Sequence, residues 1–480
     1  MPFEFIGHSI SIPGQILMQI FVLATLVYML CKHYRDILSV LLILLCWPRV
    51  FIFFGKGVEN TYKIAMLLLC LYVAYRYKAW RAYVPRERWI VLAYVLFTAQ
   101  FVLSAIYFSP VATSVTTLLS QYARYIEAFL LYFIIKEAVY CRGKKEQLLR
   151  LFYDIGLMQI IISVFKFAVF RGQIEGLVGS FSIPGGEMGT TIPILWFIIL
   201  WLYRKGQFSK WDWLYLLGLL FLGFTTGKRA VMFILPVVVF VFFVYVQGVR
   251  IKKSWIAMLA FVPLLFYLGV RLTPTLNPEH QVWGSFDWDY AIGYAEEYQF
   301  GKKGIEGQME EYQEDRQTLQ YAGGQFSYMS PQKQTAEGRG GATIALFKLL
   351  VGIYPSISQD WWGIGFNSMY STDYAEFDEL PLTIRLNHKG SATGFFQSYV
   401  TTGLLGALCT IFFCFIFWFY CLNHRLRLTI IGICAWEYFM YTGILFRTPV
   451  FMALLFLVVH YVNAEIIQRR QPFNRLTPNR

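Results

Sequence analysis

Apolar runs of roughly 15 to 25 residues recur along most of this chain, and they leave few folds open. A backbone surrounded by hydrocarbon must satisfy its own N–H and C=O groups, so such runs become helices or a closed barrel. The runs lack the period-two alternation of barrel strands, which excludes the barrel. A composition 57% hydrophobic, 19% aromatic and only 15% charged lies outside the range of ordinary soluble domains. The expected fold class is all-α: a polytopic helical membrane protein of about 12–13 transmembrane helices.

The runs fall at about 15–31, 37–54, 62–77, 89–107, 116–138, 150–169, 188–203, 212–224, 230–249, 254–270, 393–420, 428–446 and 450–464. They divide the chain into an N-terminal bundle of about ten spans (1–270), a polar loop domain (271–392), C-terminal spans (393–464) and a basic tail (465–480). The stretch from Arg271 to Gly390 holds 16 of the 29 acidic residues and 9 of the 42 basic ones.

The net charge of +13 is distributed in a way that argues against a nucleic-acid partner. Short loops on alternate sides of the spans carry 23 Lys and Arg, against 7 in the intervening loops. This is the positive-inside pattern of a bacterial inner (cytoplasmic) membrane protein. It places the basic loops and the C-terminus in the cytoplasm and the large late loop outside, with thirteen spans if the N-terminus is outside and twelve if it is inside. The eight cysteines lie mostly in apolar runs and none in the loop, so neither a disulfide framework nor a thiolate metal site is indicated. Met1 to Gly14 lacks a basic leader, so no cleavable signal peptide is expected.

Ionisable groups within apolar runs are expensive to desolvate and are therefore candidates for function. Arg124 and Glu127 are three residues apart on one helix face, either as a structural pair or as a cationic lining for an anionic head group. TTGKR, Thr225 to Arg229, opens a span on the external side. Thr225, Thr226 and Gly227 expose N–H groups there, and Lys228 and Arg229 add full charges, an arrangement suited to phosphate or diphosphate. Arg339 stands between glycines in EGRGGATIALFKLL, either as a substrate contact or as a solvated loop residue.

His388 follows Asn387 at the mouth of an apolar run in LNHKGSATGFFQSYVTTGLLG. An imidazole there suits a general base on a sugar hydroxyl, and Arg385 and Lys389 favour its neutral form. Thr393 and Gln397, one turn apart, would bind hydroxyls from the same helix face. Zinc chemistry lacks its ligand pattern, while Asp287 with Asp289, or Asp378 with Glu379, offers carboxylates of the type that holds Mg²⁺. A metal-independent reaction ranks above a metal-dependent one, because the acidic pair lies after the tenth span.

In TTGKRAVMFILPVVVF, GRGG, WWGIGFNSM and LNHKGSATGFFQSYVTTGLLGAL, set around a large late loop, the chain resembles the bacterial O-antigen polymerase and O-antigen ligase superfamily of membrane glycosyltransferases. The resemblance implies a GT-C-like fold and a metal-independent, inverting glycosyl transfer with no cofactor. Its donor would be a glycan on undecaprenyl diphosphate and its acceptor another glycan or a lipid. It also implies a place in O-antigen, and hence lipopolysaccharide, polysaccharide biosynthesis, with membrane lipid and a chain-length regulator protein as further partners.

Carried over by motif, Arg229 and Arg339 would neutralise the diphosphate leaving group, Arg124 would add a further cation, and His388 would be the base. Polymerase, with a lipid-linked repeat as acceptor, ranks above ligase, with lipid A-core as acceptor, because the long Tyr-rich loop suits a growing glycan. A lipid-linked oligosaccharide transporter or flippase is the rival of a different class; it predicts inverted repeats and broken central spans, and neither is visible in the sequence.

Overall fold

A computed structural model describes residues 4–5, 8–9, 12–52, 56–80, 87–103, 115–170, 179–181, 191–224, 263–264, 267–271, 277–279, 283–293, 361, 393–420, 426–439, 441 and 443–470. The expected spans at 230–249 and over most of 254–270, and nearly all of the loop domain, lie outside them. The described chain is all-α apart from a two-stranded antiparallel hairpin, β1 (Glu4–Phe5) with β2 (His8–Ser9). Its helices are α1 (Ile12–His33), α2 (Ile37–Cys46), α3 (Pro48–Ile52), α4 (Lys56–Tyr77), α5 (Glu87–Leu103), α6 (Val115–Tyr140) and α7 (Lys145–Phe170). They continue with α8 (Thr191–Tyr203), α9 (Lys210–Phe224), α10 (Gly394–Tyr420), α11 (Arg427–Phe439), a 3₁₀ turn at Ile444–Arg447 and α12 (Pro449–Arg470).

Three of the described helices contain segments long and apolar enough to cross a membrane: Ile16–His33, Lys145–Val169 and Pro449–Ile467. Ile37–Cys46, Thr191–Tyr203 and Thr402–Phe417 are shorter apolar stretches. The membrane-length segments differ in what covers them, since 83% of the Pro449–Ile467 window is buried within the protein but only 28% of that in α1. Accordingly α12 is the central post, packed against α6, α8 and α2. Helix α1 is peripheral and leaves Ile16, Leu17, Ile20, Leu23 and Val27 bare, as α4 leaves Ile64, Leu68, Leu71 and Tyr75. Exposed apolar side chains at this helical spacing are consistent with membrane association. The C-terminal helices are built into the N-terminal bundle, with α10 lying along α5.

Two expected spans are interrupted and a third is bent. The 37–54 run divides at Trp47, because Pro48 has no N–H to continue the helix and disfavours helical geometry in the residue before it. The Trp47 indole donates to Thr25 Oγ1 at 3.1 Å, which ties the break to α1. The 428–446 run stops at Phe439 and resumes as the 3₁₀ turn after Gly443, whose φ is +67°. The 393–420 run bends at Gly403, where φ is +68° and ψ is −169°. Only glycine adopts that backbone readily.

The loops carrying Lys32, Arg76, Arg142, Lys144 and Lys205 meet at one end of the bundle. Asp36, the N-cap of α2, gathers them: it accepts from Leu38 N (3.4 Å), Ser39 Oγ (3.0 Å), Tyr77 Oη (2.9 Å), Lys144 Nζ (2.9 Å) and Gln147 Nε2 (3.3 Å). Arg142 lies 4.0 Å over the Tyr77 ring, and Lys32 pairs with Asp154 at 2.9 Å. Lys205 reaches Glu146 at 3.7 Å, and buried Lys136 pairs with Glu87 at the start of α5. Gly143, with φ +61°, ends α6 in a left-handed cap, which lets Lys144 N donate to Ala138 O at 2.9 Å.

Candidate functional site

The opposite end of the bundle collects polar side chains inside apolar helices. Gln100 lies 13 residues along α5 from Glu87, or about 20 Å at 1.5 Å per residue. It reaches the bend of α10, where its Nε2 donates to Gly406 O at 3.1 Å and to Phe97 O at 3.2 Å. Those two carbonyls fix the orientation of the amide, because the reverse assignment would face oxygen with oxygen. On α10, Thr402 Oγ1 donates to Ser398 O at 2.6 Å, Ser398 Oγ bonds Tyr438 Oη of α11, and Thr410 Oγ1 donates to Gly406 O at 2.9 Å.

Buried Glu437 of α11 accepts from Thr191 Oγ1 at the start of α8 (3.3 Å) and from Leu445 N (3.4 Å). Gly394 N donates to Tyr441 O at 2.5 Å, which joins the start of α10 to the end of α11. The bend in α10 alters its own hydrogen-bond ladder: Leu405 N donates to Trp361 O at 3.3 Å. Trp361, the first residue of the WWGIGFNSM motif, therefore touches the bend through its backbone carbonyl.

A second polar cluster lies at this end, around the turn at 179–181. Ser180 N and Gly179 N donate to Gln159 Oε1 (2.7 Å) and Ser163 Oγ (3.0 Å) of α7. Arg49 Nε donates to Phe181 O at 2.5 Å, and buried Lys166 donates to Gly179 O. These cations clamp a turn by its carbonyls.

Of the sequence-derived site residues, Arg124 lies half-buried on α6, and its charge is felt by buried Glu127, as is that of Lys63 on α4. Thr393 immediately precedes α10, and Gln397 falls in its first turn. His388, Asn387, Arg339, Arg229, Lys228, Thr225 and Thr226 lie outside the described residues, as does the Gln397 side chain. Asp287 of FDWDY caps the short helical turn at residues 288–293, accepting from Tyr290 N at 3.0 Å. Among the described residues no group of three or more His, Cys, Asp or Glu side chains is placed to hold a metal ion.

Gln100, Thr402 and Glu437 are site-forming residues that motif reading passes over. Glu437 is the lone charge of its apolar run, and that isolation marks it, whereas Gln100 and Thr402 have the polar neighbours Thr98 and Thr401 and stand out less.

The described architecture is thus a helical assembly with membrane-length apolar helices, stapled at one end and polar and irregular at the other. No protein-family model, curated protein or solved structure matches the chain.

Proposed function

We propose that the protein is a multi-pass, GT-C-like inner-membrane glycosyltransferase, a polysaccharide polymerase that extends lipid-linked repeats at the external face. The observation that carries the reading is the polar, broken end of α10. It begins six residues after His388, at the end of the bundle away from the basic loops, and it is touched by Trp361 of the loop. By the charge bias that end is extracytoplasmic.

In this reading the terminal sugar hydroxyl of one undecaprenyl-diphosphate-linked chain attacks the anomeric carbon of another. A new C–O bond forms with inversion as the bond to the diphosphate breaks, and the leaving group departs with the electron pair. His388 takes the hydroxyl proton. Arg229 and Arg339, with Lys228, Thr225 and Thr226, stabilise the departing diphosphate, because a dianionic leaving group needs fixed positive charge and N–H donors. Arg124 adds a cation from α6. Asn387, Thr393 and Gln397 orient the acceptor. Lipid A-core as acceptor would make the same chemistry a ligase.

Purified protein in liposomes, given undecaprenyl-diphosphate-linked repeats and EDTA, tests this. The expected product is a ladder of longer lipid-linked glycans that survives EDTA and is absent from His388→Ala and Arg229→Ala. Transfer only when lipid A-core is added assigns the ligase. A flippase is the second reading, favoured by the interruptions at Trp47, Gly403 and Phe439, since broken spans suit transport. Labelled lipid that changes leaflet with no new glycosidic bond refutes the polymerase and selects it.

A further inference from the structure

Arg49 is a cation with most of its donors unspent. It lies two residues past the break at Trp47, where its backbone N donates to Ser180 O at 3.3 Å and its Nε to Phe181 O at 2.5 Å. That clamp fixes the side chain and uses one of the five guanidinium N–H groups. Among the described residues no acceptor meets the four on Nη1 and Nη2, and no carboxylate pairs with Arg49. The residue is half-buried, and neither Nη is closed off from the surroundings. A fixed guanidinium fork that can be reached, and that has no anion of its own, lacks a partner with two oxygens.

Lys166 places a second positive charge on the same turn. Its Nζ donates to Gly179 O, two residues from Phe181, and the two cations lie close enough for their charges to act on each other. Lys166 is 21 residues along α7 from Lys145, about 31 Å at 1.5 Å per residue. The hydrocarbon core of a bilayer is about 30 Å thick, so with the basic loops at one surface this turn lies at the level of the opposite head groups. The short helix α3, which carries Arg49, is pinned between α1 and α4: Trp47 donates to Thr25 of α1, and Phe51 stacks on Tyr62 of α4 with ring centroids 4.6 Å apart. At this end α1 leaves Ile16, Leu17 and Ile20 bare, and α4 leaves Val58 and Ile64 bare. A cationic fork at head-group level, on helices with bare apolar side chains, fits a phospholipid, with phosphate on the cations and acyl chains along the helices.

We infer that Arg49, backed by Lys166, binds the phosphate of an anionic phospholipid at the end of the bundle away from the basic loops. Arg49 Nη1 and Nη2 donate as a fork to two phosphate oxygens, while Nε stays on Phe181 O, so the turn keeps its clamp when the site fills. The paired cations repel the ammonium of a choline head group, which favours a net-negative lipid over a zwitterionic one. The site is independent of the glycosyltransferase reading and uses none of the residues assigned there to the diphosphate.

The test uses the full wild-type chain in phosphatidylcholine vesicles, with and without phosphatidylglycerol, and follows phenylglyoxal modification of Arg49 by peptide mass spectrometry. Exposed Arg35, at the basic end, is the reference for general shielding by an anionic surface. Phosphatidylglycerol is expected to slow modification of Arg49 about tenfold more than that of Arg35, the factor that charge-assisted bonds to a phosphate supply. Native mass spectrometry of the solubilised protein gives a second measurement. Arg49→Gln should lower the affinity for the tightest phosphatidylglycerol about tenfold, and Arg49→Lys, which keeps the charge without the fork, about threefold. Cys46 and Cys70, buried in the folded chain, report whether a variant has folded, and the protection measurement needs no variant.

Phosphatidylglycerol that slows Arg49 no more than Arg35 overturns the site, and so does a folded Arg49→Gln with wild-type lipid affinity. Inorganic phosphate that protects Arg49 as well as phosphatidylglycerol does makes the ligand a free anion and overturns the lipid. Undecaprenyl diphosphate that protects Arg49 where phosphatidylglycerol fails assigns the fork to the carrier and overturns the phospholipid. Protection of Arg49 in a preparation that forms no polymer leaves this site standing and counts only against the polymerase.

Discussion

Replacing Asp36 by alanine removes the centre of the stapled end. Its carboxylate caps α2 and receives four side-chain donors from α2, α4, the α6–α7 loop and α7, with Ser39, Tyr77 and Lys144 at 3.0 Å or less. Loss of an N-cap costs about 1 kcal/mol, and loss of a hydrogen bond to a charged group about 2 kcal/mol. The remaining donors are partly exposed and regain water, so they add little, and the expected cost of Asp36→Ala is about 3 kcal/mol. Asp36→Asn keeps a capping oxygen and should lose about half of that.

The assay is unfolding in mixed micelles, followed by labelling of thiols that are buried in the native protein: Cys46, Cys70, Cys414 and Cys434. A double-mutant cycle with Lys144→Ala isolates the ion pair, whose side chains retain 13% and 24% of their exposure. The coupling energy should be about 1.5 kcal/mol. Additivity within about 0.5 kcal/mol would refute the reasoning, because it would mean that the two groups meet without stabilising each other.

The remaining predictions use the same labelling. Burial pushes the Asp36 carboxyl up, but bonds from Lys144, Tyr77 and Ser39 outweigh it and hold it below the ordinary 3.8. For Lys144, burial lowers and Tyr77 and Asp36 raise, leaving it above the ordinary 10.5. The stability difference between wild type and Asp36→Asn should therefore be level between these two values. It should fall as pH drops through the depressed carboxylate pKa, and the Lys144 contribution should be lost as pH rises through the elevated amine pKa. Glu87→Gln strands Lys136, which is 1% exposed, and should cost about 3–5 kcal/mol, whereas replacing both partners by leucine and methionine should be nearly neutral. Gly403→Ala forces a side chain onto a backbone with φ +68° and should cost about 1–3 kcal/mol by the same labelling; a stabilised variant would refute the bend.

Most of the helical architecture was legible in the sequence, because a continuous apolar run has one means of satisfying its backbone. Helices α1, α4 through α9 and α12 begin and end within a few residues of the apolar runs, and the gathering of basic loops at one end agrees with their charge. The interruptions were harder to read. Pro48 marks its break openly, whereas Gly403 sits where the polar start of its run gives way to the apolar stretch Thr402–Phe417, and its backbone angle is what distinguishes it from Gly406. The candidate site was less legible still. Motif reading pointed to charged residues that mostly lie outside the described ones, while the described interior at that end combines buried Glu437 and Lys166 with neutral groups such as Gln100 and Thr402.

The ties are distributed unevenly between the two ends. At the basic end, ionic and capping bonds join α1, α2, α4, α6, α7 and α8, so those helices share a common footing. At the far end, α10 packs along α5 and α11, and the described hydrogen bonds across its glycine bend are between neutral groups. The ties of the two ends therefore respond to different conditions: added salt screens the partly exposed ion pairs of the basic end more than the packed contacts of α10.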